Sequence, residues 1–188
     1  MVNKMSSTAS TQTAVRVMNG TIAGRIVLTA SEAGIVSLVM RRAEDGDEDI
    51  HQQGSAPAAA IADKAMMELG AYLRGELRRF NVPLCLEGLS DFQRKVLTHT
   101  AQIPAGSVES YGEVARAIGK PNSARAVGGA LAHNPIAIMI PCHRVVAHDG
   151  ELHGFSSPEG IRIKAKLLAH EGLPIIGDRV QFMTKREM

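Results

Sequence analysis

The stretch from Ser110 to His133, SYGEVARAIGKPNSARAVGGALAH, has the pattern of two short helices joined by a tight turn. Glu113 follows Ser110 at the spacing of a capping box, in which each side chain satisfies a free backbone N–H at the start of a helix. Residues 119–122, Gly-Lys-Pro-Asn, break this helix, and Ser123 is predicted to cap a second one that begins at Ala124. Two short helices around such a turn indicate a helix-turn-helix.

The second predicted helix has one face with almost no side-chain bulk. Arg125, Gly128, Gly129 and Ala132 share this face, and only the arginine is long. A glycine inside a helix costs about 1 kcal/mol relative to alanine, so two adjacent glycines indicate a close approach by another backbone. One interpretation is packing against the rest of the protein. The other is the minor groove of DNA, where Arg125 would fill the space left by an extruded base.

The segment Pro141-Cys142-His143-Arg144 places a nucleophile next to a base. In a straight strand Cys142 and His143 would point to opposite faces, so they can cooperate only where the backbone bends. Pro141 favours such a bend, and the apolar run before it predicts a buried segment that brings Cys142 to a surface. The alternative is that Cys142 is a small buried hydrophobe, which free cysteines usually are.

Composition leaves room for these interpretations without deciding between them. The chain has 188 residues, 45% of them hydrophobic, which suits one or two domains with a real core. Its net charge is only +2, but four Lys and Arg residues face one acid between Tyr111 and Val145. The acids at 44–49 are interpreted as a solvated loop. Two cysteines, no signal-like start and no long apolar run predict a cytoplasmic protein with a free Cys142 thiol.

The first half of the chain predicts a small sheet covered by a helix. The expected elements are a disordered start over residues 1–11, strands at 14–18, 21–29 and 33–40 with a hairpin turn at Asn19-Gly20, and a helix from Pro57 or Ala58 to Arg79. A boundary is placed within 82–90, which gives domains 1–88 and 89–188. Cys85 has no neighbouring base and is interpreted as structural or incidental. A helix capped by Ser90 or Asp91 is expected to reach about Ala101.

The order of motifs along the second half closely resembles that of the O6-alkylguanine-DNA alkyltransferases. The resemblance lies in Ser110-Tyr111, Ala124-Arg125-Ala126-Val127-Gly128-Gly129-Ala130, Asn134-Pro135, Ile140-Pro141-Cys142-His143-Arg144-Val145-Val146, Gly154-Phe155-Ser156 and Leu167-Leu168-Ala169-His170-Glu171-Gly172. It implies an α+β fold: an N-terminal ribonuclease-H-like domain with a small sheet and a helix, followed by a mostly helical domain that contains a winged-helix-like helix-turn-helix.

The resemblance also implies a set of catalytic roles. Cys142 would accept the alkyl group, His143 would take the thiol proton through a water, and Glu171 would orient and charge that histidine. Asn134 would brace the turn that carries Cys142. Tyr111 would donate a proton or hydrogen bond to the guanine ring as the base leaves.

Further roles concern the flipped base and the DNA. The carbonyls of Cys142 and Val145 would accept from the guanine amine, and the backbone N–H of Ser156 would contact O6 as a loop containing Gly154 closes over the pocket. Phe155 stands where tyrosine is frequent, which keeps a stacking face without a hydroxyl, and Lys164 aligns with a lysine near the pocket. The DNA contacts implied are those of Arg125, Ala124, Gly128, Gly129 and Ser110.

The implied activity is direct reversal of O6-alkylguanine damage in duplex DNA, with O4-alkylthymine as a further candidate substrate. Because the product is a thioether, the protein would act once, without a cofactor. Cys85 and His51 are the soft ligands of the first half, so no zinc is expected. The expected protein is a monomer whose partner is DNA and not a membrane, in the nucleoid or, in a eukaryote, the nucleus.

Three other functions remain open on the sequence. A cysteine hydrolase would use the same Cys-His pair but would need an oxyanion hole and would turn over repeatedly. A DNA-binding regulator would need the two helices but not Cys142. A transcriptional activator fused to a repair protein would need a further DNA- and metal-binding region, for which the chain has no room.

Overall fold

The computed structural model describes residues 12–42 and 51–181, so the expected disordered start and the acidic loop at 44–49 lie outside the described residues. Strands β1 (Ala14–Thr21), β2 (Gly24–Ser31) and β3 (Gly34–Arg41) form an antiparallel sheet in that order. Helix α1 (Ala56–Leu73) packs on the sheet through buried residues at helical spacing, namely Ala58, Ala62, Ala65 and Leu69. The predicted sheet with one covering helix is therefore confirmed.

The turn of the first hairpin lies three residues beyond the predicted position. Thr21 pairs with Gly24, and the turn is formed by Ile22 and Ala23. The Thr21 hydroxyl accepts from the N–H of Ala23 at 3.0 Å and donates to the Gly24 carbonyl at 2.7 Å, which closes the turn locally. Gly20, with φ of 67°, instead lies in an irregularity within β1, so the Asn19-Gly20 hairpin turn was wrong.

Helix α1 also ends earlier than predicted, at Leu73 and not at Arg79. Gly75 adopts a left-handed backbone with φ of 78°, a conformation that terminates helices. The chain after Gly75 is thereby free to turn, and the Arg78 guanidinium donates to the carbonyl of Glu171 at 3.0 Å. The early end of α1 thus brings this segment onto the second half of the chain.

The second half is mostly helical. It contains α2 (Asp91–Thr100), α3 (Tyr111–Ala117), α4 (Ala124–Ala132) and α5 (Ile161–His170), with the short pairs β4 (Glu109–Ser110) with β5 (Val145–Val146) and β6 (Ile175–Ile176) with β7 (Arg179–Val180). Ser90 caps α2, and the Ser110–Glu113 capping box is present, as predicted. Ser123 occupies the N-cap position of α4 but makes no side-chain capping bond there, and α5 has no counterpart among the predicted helices.

The edge of strand β3 holds two distant segments in place. Ile35 donates to the carbonyl of Pro83 at 2.8 Å, and Leu38 donates to the carbonyl of Pro135 at 2.8 Å. One hydrophobic cluster includes residues of the sheet, α1, α2 and α4, so the core continues across the predicted boundary. The sheet therefore supports the segment that leads into Cys142. No helix in the described part of the chain is long and apolar enough to cross a membrane.

Candidate active site

Cys142 lies at the start of a short 3-10 turn, Cys142–Arg144, after a buried and strained approach. Ile138 has φ of 70°, and the N–H of Met139 donates to the carbonyl of Ala137 at 2.8 Å across it. A β-branched residue in this region costs on the order of 1–3 kcal/mol and persists only where the surroundings hold it. Tight packing therefore holds the segment before Cys142 in one conformation and fixes the position of Cys142.

Asn134 braces this turn from its other side. Its Nδ2 donates to the carbonyl of Ile140 at 2.9 Å and to the Sγ of Cys142 at 3.2 Å, while its Oδ1 accepts from the N–H of Ile136 at 3.0 Å. All three contacts lie within residues 134–142, so the Asn134 side chain holds Ile136 and Ile140 in place and also donates to the sulfur of Cys142.

The sulfur faces a cavity of about 660 Å³, a volume typical of small-molecule sites. Cys142 is 8% exposed and forms part of the cavity wall. Helix α4 and the loop at 153–156 both contribute to the cavity wall, and the Ser156 hydroxyl donates to the carbonyl of Ala132 at the end of α4 at 2.7 Å. The lining residues are Tyr111, Ala124, Arg125, Gly128, Leu131, Ala132, Cys142, His153, Gly154, Phe155 and Ser156.

A buried ionic cluster lies behind the sulfur. The Nε2 of His143 is 2.9 Å from Oε1 of Glu171, and both side chains are almost fully buried. Arg144 donates through Nε to Oε2 of Glu171 at 2.9 Å and through Nη2 to Oε1 at 2.7 Å. The Nδ1 of His143 has no hydrogen-bond partner among the described residues. The carboxylate therefore favours a proton on Nε2, which leaves Nδ1 as the acceptor.

Burial dominates the acid–base properties of the cluster. It raises the pKa of the Cys142 thiol, although the Asn134 hydrogen bond and the Lys164 charge oppose this. It also lowers the pKa of His143, against the opposing effect of Glu171. Burial alone would raise the pKa of Glu171, but the bonds from His143 and Arg144 outweigh it and hold that pKa well below its usual range. The resting state is therefore a neutral thiol and a neutral imidazole beside a charged carboxylate.

Lys164 is a buried cation close to the sulfur. Its ammonium donates to the carbonyls of Val145 at 2.7 Å and His153 at 3.0 Å, and lies 5.8 Å from the centre of the Tyr111 ring. Burial lowers the pKa of Lys164 to about 8, and the Cys142 charge opposes this shift. Burial, followed by the charge of Cys142, raises the pKa of Tyr111. Lys164 thus positions the loop while stabilising negative charge in the cavity.

Comparison with known proteins shows what this site resembles. Residues 91–173 match the model of the 6-O-methylguanine DNA methyltransferase, DNA binding domain. A methylated-DNA–protein-cysteine methyltransferase of Mycolicibacterium paratuberculosis is 50% identical over 107 residues, which cover 57% of this chain and 63% of that protein. The protein of that name in Mycobacterium bovis is 42% identical over 144 residues, which cover 77% of this chain and 85% of that one. The chain belongs to the methylated-DNA–protein-cysteine methyltransferase family.

The similarity to this family includes the three-dimensional fold. The OGT of Mycobacterium tuberculosis, crystallised in complex with DNA, superimposes with a TM-score of 0.70 at 38% identity. The match covers 84% of this chain and 91% of that one. The mixed α and β architecture, with its small sheets, is therefore that of the family.

Most residues that the sequence singled out in this methyltransferase-family chain meet at the cavity. Those in its wall are Cys142, Tyr111, Phe155, Ser156, Arg125, Ala124 and Gly128, and His143, Glu171 and Asn134 lie directly behind it. Four others are not among the residues of the wall, namely Val145, Lys164, Gly129 and Ser110. The Val145 carbonyl accepts a hydrogen bond from Lys164, and the Ser110 hydroxyl donates to Glu113 at 2.7 Å. Gly129 lies on the exposed side of α4.

The sequence assigned no role to Arg144 or to Tyr72. Arg144 had one available signal, since it follows Cys142 and His143 directly. Tyr72 had none, because it is separated from Glu171 by 99 residues and meets it only through the fold. Within the described residues no group of three His, Cys, Asp or Glu side chains could hold a metal ion.

Proposed function

We propose that this protein reverses O6-alkylguanine damage in duplex DNA by transferring the alkyl group to its own Cys142. The observation that carries the proposal is the position of the Cys142 sulfur, in the wall of a base-sized cavity and next to a His143–Glu171 pair. Family membership supports it, as does a relative 38% identical that was crystallised in complex with DNA.

The proposed reaction begins with proton transfer from the Cys142 thiol to Nδ1 of His143 through a water. Glu171 stabilises the imidazolium that forms. The thiolate then attacks the sp3 carbon on O6 in line, a carbon–sulfur bond forms, and the carbon–oxygen bond breaks. Guanine leaves with its negative charge spread over O6 and the ring, and Tyr111, whose raised pKa keeps it a neutral donor, stabilises that charge by a hydrogen bond. The proton that His143 took from the thiol returns through solvent, so that guanine leaves neutral and His143 is neutral again.

The thioether that forms is stable to water, so each molecule would act once. Lys164 supports formation of the thiolate, because its ammonium lowers the pKa of the Cys142 thiol. The same ammonium holds the loop at 153–156 through its hydrogen bond to the His153 carbonyl. Ser156 and Phe155 would contact the flipped base, since both lie in the wall of the cavity that holds the Cys142 sulfur. O6-Alkylguanine is the proposed substrate, and O4-alkylthymine is a further candidate.

The DNA is proposed to lie along α4. Arg125 is exposed at its first turn and also lines the cavity, so its side chain can occupy the gap that an extruded base leaves. Gly129 is exposed, and a Cβ built on it would meet nothing within 4 Å. This bare surface supports close approach of DNA more than packing within the protein. Gly128 is the better candidate for packing, because a Cβ built on it would lie 3.7 Å from Cε1 of Tyr111.

The finer description of the fold is also proposed. The sheet with α1 corresponds to a ribonuclease-H-like N-terminal domain over residues 1–88. The remainder, residues 89–188, corresponds to a DNA-binding domain in which α3 and α4 form a winged-helix-like helix-turn-helix, with a monomer as the acting species. The close packing of α3 on α4 and of both on α2 supports the helix-turn-helix.

The test is the stoichiometry of repair on a duplex oligonucleotide with a single O6-methylguanine. Guanine restored per protein molecule should rise to one equivalent and stop. Repeated turnover would contradict the proposal and favour a hydrolase. Cys142→Ser should bind the same duplex and restore none, whereas full repair by this variant would show that Cys142 is not the acceptor.

A further inference from the structure

Tyr72 connects the first half of the chain to the catalytic cluster. It lies in the last turn of α1 and is 1% exposed. Its hydroxyl donates to Oε1 of Glu171 at 2.7 Å, the same oxygen that faces Nε2 of His143. An element of the N-terminal half thus contacts the carboxylate on which the proposed proton transfer depends.

The hydrogen bonds of Glu171 show what this hydroxyl contributes. Arg144 binds both carboxylate oxygens, so the plane of the carboxylate is already fixed without Tyr72. Oε1 receives three donors, from Tyr72, His143 and Arg144, whereas Oε2 receives one. The hydroxyl of Tyr72 therefore acts chiefly on the charge that Oε1 presents to His143, and less on its orientation.

The sign of that effect follows from the direction of the O–H dipole. Its positive end points at Oε1, and it reduces the negative potential that Glu171 creates at the imidazole of His143. An imidazolium is consequently less stable with the hydroxyl present than without it. Since the Cys142 thiolate forms together with that imidazolium, the hydroxyl also makes the thiolate harder to form.

We propose that Tyr72 is a positioning residue that restrains the charge of Glu171 and so sets how readily Cys142 gives its proton to His143. This inference rests on the proposed function for its biological meaning, although the acidity of Cys142 can be measured without it. The arrangement makes the reactivity of the thiol depend on the docking of α1 against α5 and the turn at Cys142–Arg144.

Other polar and charged groups face the same cluster and remain unchanged in the test. On the Tyr72 side these are Arg78, which donates to the backbone carbonyl of Glu171 at 3.0 Å, and His170, whose Nε2 is 2.7 Å from the Tyr72 carbonyl. On the Cys142 side they are Arg144 and Lys164. Burial, followed by the charge of Glu171, raises the pKa of Tyr72, so its hydroxyl stays protonated through the working range.

The test measures alkylation of Cys142 by iodoacetamide as a function of pH, in a Cys85→Ser background so that one thiol reacts. Tyr72→Phe keeps the ring and removes the donor. Below the midpoint the reaction should become roughly threefold faster, because a rise of about half a unit in the pKa of His143 increases the fraction of the thiolate–imidazolium pair by that factor. Incorporation of 3,5-difluorotyrosine at Tyr72 strengthens the donor and should slow the reaction in the same pH range.

Phe80→Leu is the matched control, because Phe80 packs on the Tyr72 ring at 5.3 Å without contacting the carboxylate. It should lower thermal stability and leave the alkylation rate below the midpoint unchanged. An unchanged rate in Tyr72→Phe, or a change of the same sign in the fluorinated protein, would overturn the inference. If Tyr72→Phe does not fold, the fluorinated protein decides alone. Loss of methyl transfer with the predicted changes in alkylation rate intact would overturn only the proposed function.

Discussion

Gly129→Ala is the substitution that best separates the two explanations for the glycine pair in α4. Gly129 lies in the interior of a nine-residue helix and is exposed. A Cβ at this position would meet nothing within 4 Å, and the backbone there has no positive φ. The free protein therefore has no steric reason to keep glycine at this position.

The expected effect on stability follows from backbone entropy alone. Alanine inside a helix is favoured over glycine by about 1 kcal/mol, and for a chain of this size that raises Tm by roughly 2–4 °C. Binding should respond in the opposite direction if a DNA backbone passes over Gly129. An added methyl group in a close interface costs about 1–3 kcal/mol, so affinity should fall by roughly fivefold to a hundredfold or more.

The assay pairs thermal unfolding with fluorescence anisotropy on a duplex containing O6-methylguanine, in a Cys142→Ser background that prevents reaction. Gly70→Ala in α1 is the control, because its Cβ would meet the flexible ends of two side chains, Arg74 at 3.3 Å and Met18 at 4.0 Å. It should raise stability similarly and leave affinity unchanged. A Gly129→Ala protein that is more stable and binds the duplex as tightly as the parent would refute DNA approach at this surface.

Three further substitutions test individual roles. Arg125→Ala should slow repair in duplex DNA far more than reaction with free O6-benzylguanine, and equal losses on both would exclude a role for Arg125 in base extrusion. Glu171→Gln should slow alkylation of Cys142 by iodoacetamide at neutral pH, because the imidazolium loses its counter-charge; an unchanged rate would remove Glu171 from the relay. Lys164→Met should slow the same reaction below pH 8 and change it little above that pH, since an ammonium with a pKa of about 8 favours the thiolate only while it is charged. A profile that still matches the parent below pH 8 would show that Lys164 does not act on the sulfur.

Local sequence signals predicted the elements that depend on local chemistry. The Ser110–Glu113 capping box, the α2 cap at Ser90 and the helix pair α3 and α4 are all present, because a few neighbouring residues determine them. The hairpin turn was misplaced because the Thr21 hydroxyl closes a turn at Ile22-Ala23 that competes with the Asn19-Gly20 signal.

The contacts that the sequence could not predict are long-range. Helix α1 ends before Gly75, and Tyr72 and Arg78, on either side of this glycine, both contact Glu171. These contacts exist only when the two halves of the chain are packed together. The acidity of Cys142 is a similar case. Burial, which only the fold determines, raises the pKa of the thiol and leaves ionisation to depend on proton transfer.

The most direct test of the account is the mass of the peptide that contains Cys142 after the protein has been incubated with DNA methylated at guanine O6. The account predicts one added methyl group on Cys142, none on Cys85, and no loss of the group on prolonged incubation. A methyl group on another residue, or repaired DNA with an unmodified Cys142, would contradict it.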